Sequence, residues 1–185
     1  MALVNLTANQ INKIQIDEGI VVINLGETNE LVLGPTRGGA EFTVTPSIRD
    51  IEFDGRRGKT KGLQVKDGED VELKVNTLNC SQEILQYALN GSSATGEGKD
   101  LAQGGFGVIQ ATSYLTNVAV ITKTIDGKFK ILKVMNPMHE SAFTFKAASK
   151  SENEHNLDFL GHYDALNQDT PIWTIVESAT NPVAA

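Results

Sequence analysis

Apolar residues recur in this chain at every second position, in short segments closed by glycine, proline, asparagine or aspartate. That period of two limits the fold to an antiparallel β architecture. Val71, Leu73 and Val75 alternate with Glu72, Lys74 and Asn76, the pattern of a strand with one face in a core and the other in water. The same reading predicts strands at residues 14–16, 19–25 and 30–33, where Leu31 and Leu33 share a face before Gly34-Pro35 breaks the run. Phe42 and Val44 belong to a further strand ending at Pro46. Ile51 and Phe53 then lie opposite Asp50 and Glu52 on the next one.

The second half repeats the pattern. Residues 107–111 read as a strand. A long strand over residues 114–124 turns at Asp126-Gly127, the strongest hairpin dipeptide in the sequence, and returns over residues 128–135. The return strand carries Phe129, Ile131, Lys133 and Met135 on one face and Lys128, Lys130, Leu132 and Val134 on the other. A hairpin apolar on both faces is either central in a sandwich or covered by another subunit. Phe143 and Phe145 mark a strand after Asn136-Pro137, and Pro171 introduces the last one at residues 172–177.

One helix interrupts the series, at about residues 81–89, where Ile84, Leu85, Ala88 and Leu89 recur at helical spacing behind a capping residue, Asn79 or Ser81. Asn90-Gly91 is its stop signal, and residues 91–105 read as a loop with too little apolar surface to order itself. With 185 residues, 40% apolar, no internal repeat and no shift in composition, the chain reads as one mainly β sandwich or barrel domain. Its ends, about residues 1–12 and 178–185, read as flexible arms. A chain of this length buries roughly 70% of the surface its unfolded form exposes, so a core forms without staples. The single cysteine, Cys80, allows no intrachain disulfide. The longest apolar runs fall far short of the ~20 residues that cross a bilayer, and the first residues show no secretion signal.

The net charge of −7 argues against a protein whose main task is gripping nucleic acid or anionic lipid. The charges are nevertheless segregated. Arg56, Arg57, Lys59, Lys61 and Lys66 fall in a stretch without an anion, whereas Glu152, Glu154, Asp158, Asp164, Asp169 and Glu177 fall in one without a cation. Two readings stand: both are solvated loops, or one copy's basic loop meets a neighbour's acidic surface in a head-to-tail assembly.

Motifs of catalysis fail on register. Gly58-Lys59-Thr60 matches the end of a phosphate-binding loop, but Phe53 stands where that motif needs its first glycine and no helix follows. Gly104-Gly105-Phe106-Gly107 has Gln110 in place of the third glycine of a dinucleotide fingerprint. His139, His155 and His162 match no metal spacing and read as surface residues. Cys80 has no histidine nearby to serve as base, and Asp50/Glu52 and Glu69/Asp70 read as solvent faces and turns rather than acid and base pairs. No aromatic interleaves with the basic loop, as a single-strand platform requires. No cofactor is called for.

Residues 33–62 carry a resemblance. Gly34-Pro35-Thr36-Arg37-Gly38-Gly39-Ala40-Glu41-Phe42, then Ile48-Arg49-Asp50-Ile51-Glu52-Phe53-Asp54-Gly55 and Lys59-Thr60-Lys61-Gly62, resemble the N-terminal half of bacteriophage tail tube (major tail) proteins. The order of strand, single helix, long loop, hairpin and final strand that follows is similar too. The resemblance implies a non-enzymatic β-sandwich subunit of hexameric rings, stacked into a hollow tube through which the viral genome leaves. It implies a place in the virion tail after assembly in the host cytoplasm. The implied partners are other copies of the chain, a tape measure protein and a tail terminator or sheath, with double-stranded DNA passing unbound and no membrane.

On that reading the basic loop, Arg56, Arg57, Lys59, Lys61 and Lys66, reaches a neighbouring subunit. Asp50, Glu52 and Glu72 are candidates for the lumen, where carboxylates repel passing DNA. Two other readings fit the same pattern: a monomeric β-barrel module binding a small ligand or oligonucleotide, and another virion component such as a decoration or tail terminator protein.

Overall fold

The computed structural model describes residues 6–17, 19–89, 93–95, 100–145 and 149–183. In chain order the elements are α1 (Ala8–Asn12), β1 (Ile20–Ile23), β2 (Leu31–Val32), β3 (Thr36–Asp50), β4 (Gln64–Thr77), α2 (Gln82–Ala88), β5 (Ser93–Thr95) and β6 (Asp100–Ala102). A 3-10 turn at Ala111–Ser113 leads to β7 (Asn117–Lys123), β8 (Phe129–Met135), β9 (Met138–His139), β10 (His155–Leu160) and β11 (Trp173–Ser178). The fold is mainly β, as the alternation predicts. One antiparallel sheet has the order β11-β8-β7-β1-β2 and a second the order β3-β4-β10-β9, with β5 and β6 forming a small ribbon.

The two larger sheets face each other as a sandwich. Val21, Ile23, Val118, Val120 and Val134 from the first meet Val71, Leu73, Val75, Leu157 and Phe159 from the second. Helix α2 adds Ile84 and Ala88 to this core. Its approach is fixed by Asn79, whose Nδ2 donates to the Leu33 carbonyl at 3.1 Å and whose Oδ1 accepts from Ser81 N at 3.0 Å. Ser81 occupies the N-cap position without a side-chain hydrogen bond. Gly34 lies so close to Asn79 that an added Cβ would stand 3.3 Å from Nδ2, with the backbone at φ +90°.

Several expectations are corrected. Pro46 does not end a strand: β3 runs through it as one fifteen-residue strand, with Pro46 opposite Glu69 and a register shift at Ser47/Ile48. The reason is that β3 is the sheet edge, where a missing N–H costs no ladder bond. Ile51 and Phe53 therefore fall beyond the strand. Residues 107–111 form no strand: Gly107 and Val108 are bends, Ile109 and Gln110 are irregular and Ala111 opens the 3-10 turn, with Phe106 and Val108 standing in solvent. Within the expected loop 91–105, Ser93–Thr95 and Asp100–Ala102 pair as a two-stranded antiparallel ribbon. The stop signal Asn90-Gly91 lies outside the described residues.

Phe143 and Phe145 are not in a strand. The missing sheet position is taken by β10, which pairs with β4 on one side and β9 on the other. Residues 14–16 make a single bridge, Gln15 to Thr124, rather than a strand. Of the expected N-terminal arm, Ala8–Asn12 is a helix closed by a capping box between Thr7 and Gln10, and residues 1–5 lie outside the described residues.

The two-faced hairpin is central. β7 lies between β8 and β1, and its second face, with Ala119, Ile121, Val22 and Ile131, is buried in a separate cluster against which Phe129 and Val183 pack. Among the described residues, part of the cover on this face comes from within the chain.

Candidate assembly interface

Alternation gives the second sheet two unlike faces. Val44, Phe42, Val71, Leu73, Val75, Leu157 and Phe159 point into the core. Glu41, Thr43, Thr45, Asp70, Glu72, Lys74, Asn76, Asn156 and Asp158 therefore share the outer face. On it, four carboxylates stand against one cation. Lys74 Nζ donates to Glu72 Oε2 at 2.8 Å and lies opposite both Glu41 and Asp158 in the ladder. These partners, Glu72 first, hold the Lys74 ammonium above its ordinary pKa. Asp158 is itself buried and accepts from Ser141 Oγ at 2.6 Å.

Past Val44 the β3–β4 hairpin leaves the sandwich. Every β3 residue from Thr45 to Arg49 is exposed, and so are Ile51, Phe53 and most of the connecting loop. The arm is braced at its base by Glu69, which pairs with Lys66 and accepts from Trp173 Nε1 of the other sheet at 3.0 Å. Those two contacts, the lysine's foremost, pull the Glu69 carboxyl below its ordinary pKa. Phe42 meets the Trp173 ring edge-on at 6.5 Å. Arg49 and Asp67 add a cross-strand pair at 3.0 Å.

At the tip, Arg56 folds back. Its Nε donates to the Gly58 carbonyl at 2.5 Å and its Nη2 to Asp50 Oδ2 at 2.5 Å, while Gln64 Nε2 donates to Asp50 Oδ1 at 2.9 Å. Of the five basic residues singled out in the sequence, Arg56 and Lys66 are thus engaged within the arm. Arg57, Lys59 and Lys61 are exposed and form no ion pair among the described residues. The three candidate lumen carboxylates do not share a surface: Asp50 is at the arm tip, Glu52 is exposed beyond β3, and Glu72 is on the outer sheet face. Gly58-Lys59-Thr60 sits at this hairpin tip, between two strands.

The acidic C-terminal stretch is largely engaged inside the chain. Arg37 bonds Glu152 and Glu154 at 2.9 and 2.5 Å, Lys128 bonds Glu177 at 2.5 Å, and Asp158 is buried. Nor are the histidines all at the surface. His139 and His155 are buried, and burial pushes the His139 pKa down. The ring of His155 stacks on Phe143 and Phe145 at 5.6 and 5.2 Å. His162 is half-buried, with Nε2 2.8 Å from Glu140 Oε1. Among the described residues no three His, Cys, Asp or Glu side chains group to hold a metal, and no helix is long and apolar enough to cross a membrane. Cys80 is exposed.

A second surface was not foreseen. Between α2, β6 and β9 lies a cavity of about 840 Å³ lined by Leu101, Phe106, Ile109, Met138, Glu140 and Phe143 among others. Phe106 and Val108 beside it are 95% and 89% exposed. The run of glycines and apolar residues at 104–109, read only as a failed nucleotide motif, was the available signal. No protein-family model matches the chain, and none of the curated proteins does.

Proposed function

We propose that the chain is a structural subunit of a phage tail tube, assembling with copies of itself into stacked, hexameric rings around a channel for DNA. The observation that carries this reading is the β3–β4 arm, which projects Ile48, Ile51 and Phe53 into solvent beside three cations that form no ion pair among the described residues. A monomer gains nothing from holding apolar side chains there, whereas a neighbouring subunit would bury them. The resemblance of residues 33–62 to tail tube proteins falls on this same arm.

The outer face of the second sheet supports the channel. Its solvent-accessible carboxylates, Glu41, Asp70 and Glu72, outnumber Lys74, so the face repels a polyanion and lets DNA slide without sticking. Glu72 stays the lumen candidate. Asp50, held by Arg56 and Gln64, is a brace of the arm instead. Tape measure and terminator or sheath proteins are the other partners of this reading, in the virion.

Negative-stain electron microscopy of the concentrated protein tests it. Rings or hollow tubes of uniform width are the expected result. Compact single particles at every concentration, with mass photometry giving the monomer, would turn the assignment toward a monomeric ligand-binding domain.

A further inference from the structure

The chain contains the dipeptide Asp-Gly three times, in three different settings: Asp54-Gly55 between β3 and β4, Asp67-Gly68 within β4, and Asp126-Gly127 between β7 and β8. All three aspartates are exposed. Gly55 and Gly127 also share a left-handed backbone, with φ +86° and +83°, and neither has an atom of another part of the chain within 4 Å of where a Cβ would stand. What separates the three sites is hydrogen bonding.

Asp126 sits in a turn that is closed by its own glycine, because Gly127 N–H donates to the Thr124 carbonyl at 2.9 Å. Its Oδ1 accepts from Thr124 Oγ1 and, at 3.4 Å, from Lys128 N. These contacts, that of Thr124 first, hold the Asp126 carboxyl below its ordinary pKa. Asp67 gives both its oxygens to Arg49, at 3.0 and 3.2 Å, and its glycine belongs to a strand. At the arm tip the closing bond falls one residue later, from Arg56 N to the Phe53 carbonyl at 3.3 Å. Asp54 and Gly55 are therefore the two central residues of that turn, whose own amides take no part in closing it. Among the described residues neither the Gly55 N–H nor the Asp54 carboxyl has a hydrogen-bond partner.

A free carboxyl beside a free glycine amide is a reactive pair. When the Gly55 nitrogen attacks Asp54 Cγ, a C–N bond forms and a Cγ–O bond breaks, and the amide proton leaves with the carboxyl hydroxyl as one water. The product is a cyclic succinimide. Glycine permits the approach because it has no Cβ and tolerates the backbone angles of the ring. Water then adds to one of the two ring carbonyls. Addition at Cγ restores aspartate, whereas addition at the main-chain carbonyl breaks the original peptide bond and leaves the chain running through Cβ, an isoaspartate of unchanged mass. At Asp126 this route is blocked twice, since its nucleophile is committed to Thr124 and its carboxyl is held as the less electrophilic anion.

We propose that Asp54 is a modification site, which converts to isoaspartate through a succinimide with Gly55 in the folded chain while Asp67 and Asp126 persist. No second copy and no enzyme is needed. The consequence falls on the arm: one extra main-chain carbon enters the span between Asp50 and Arg56, the pair that closes the tip.

An ageing experiment with internal controls tests it. The full-length protein is kept dilute at neutral pH and body temperature for some weeks, then digested and mapped by electron-transfer fragmentation, which distinguishes isoaspartate from aspartate at each position. Conversion at Asp54 is expected to exceed that at Asp67 and at Asp126 roughly tenfold, the effect of one hydrogen bond that must break before the attack. In a parallel sample unfolded in urea the three sites should convert at similar rates, because the contacts that protect two of them are gone. Asp54→Glu should remove the isomerised tip and leave the other two sites as they were.

Conversion at Asp54 that is absent, or no faster than at Asp67 and Asp126, would overturn the proposal. A preference for Asp54 that persists undiminished in urea would overturn it as well, since it would then belong to the neighbouring residues and not to the fold.

Discussion

Arg56 and Asp50 close the tip of the β3–β4 arm on itself, guanidinium Nη2 to carboxylate Oδ2 at 2.5 Å, with Gln64 holding the other carboxylate oxygen. The pair decides what the tip shows to a neighbour. By drawing one cation inward it leaves Arg57, Lys59 and Lys61 facing out, next to Ile51 and Phe53.

The Asp50 carboxyl is therefore expected to titrate below the ordinary aspartate range, through the hydrogen bond from Gln64 first and the Arg56 contact second. A lowered pKa in the folded state means that Asp50 supports the arm above about pH 4 and loses that role as the pH falls through its folded value. Carboxyl NMR should show the shift. Gln64→Leu and Arg56→Gln should each move the titration upward. An Asp50 signal in the ordinary range in the wild type would contradict the brace.

Trp173→Phe keeps an aromatic edge against Phe42 but removes the donor that reaches Glu69 across the sandwich. Glu69 is mostly shielded from solvent, with 18% of its side chain exposed, and among the described residues its carboxylate then keeps Lys66 alone. A loss of about 1 kcal/mol is expected, in the range of a net hydrogen bond. Urea unfolding should show a lower midpoint with an unchanged slope. Equal midpoints would mean that the contact contributes nothing to stability.

Gly161 leads the chain out of β10 between the two sheets, its N–H donating to the Val71 carbonyl at 3.0 Å. A Cβ there would lie 2.5 Å from Val71 Cγ1 and 2.8 Å from Val134 Cγ1. Gly161→Ala should cost about 1–3 kcal/mol, as overpacking of a closed core does. Because the clash is specific, Val71→Ala in the same chain should recover part of the loss, a non-additivity that two independent defects would not show.

What the sequence made legible was whatever depends on local alternation and turn chemistry. β4 needed only Val71, Leu73 and Val75 at period two, and Asp126-Gly127 fixed the β7–β8 turn. β10 carries the same alternation in His155, Leu157 and Phe159, but histidine and the intervening Asp158 made the segment read as polar. Its burial depends on β4 and β9 closing on both sides, a fact of pairing between distant segments. Pro46 misled for a related reason: whether a strand tolerates proline depends on its being an edge. The charged arm was visible as a basic run, yet the Asp50–Arg56 contact is set by the path of the loop between them. The cavity was the least legible, since it is assembled from α2, β6 and β9, each uninformative alone.

The channel reading makes its own demand on the outer face of the second sheet. If Glu41 and Glu72 line a lumen, Glu41→Lys with Glu72→Lys turns a surface that repels DNA into one that holds it. Both residues point away from the core, so folding and tube width should be unchanged. Sedimentation should then show DNA bound to variant tubes and not to wild-type tubes. Binding should fall steeply with salt, the slope growing by roughly 0.9 for each phosphate neutralised. The location is read from a nuclease: DNA inside a tube is sheltered from digestion, whereas DNA on an outer surface is not. Bound DNA that the nuclease removes completely would place this face outside the tube and leave the channel without its acidic wall.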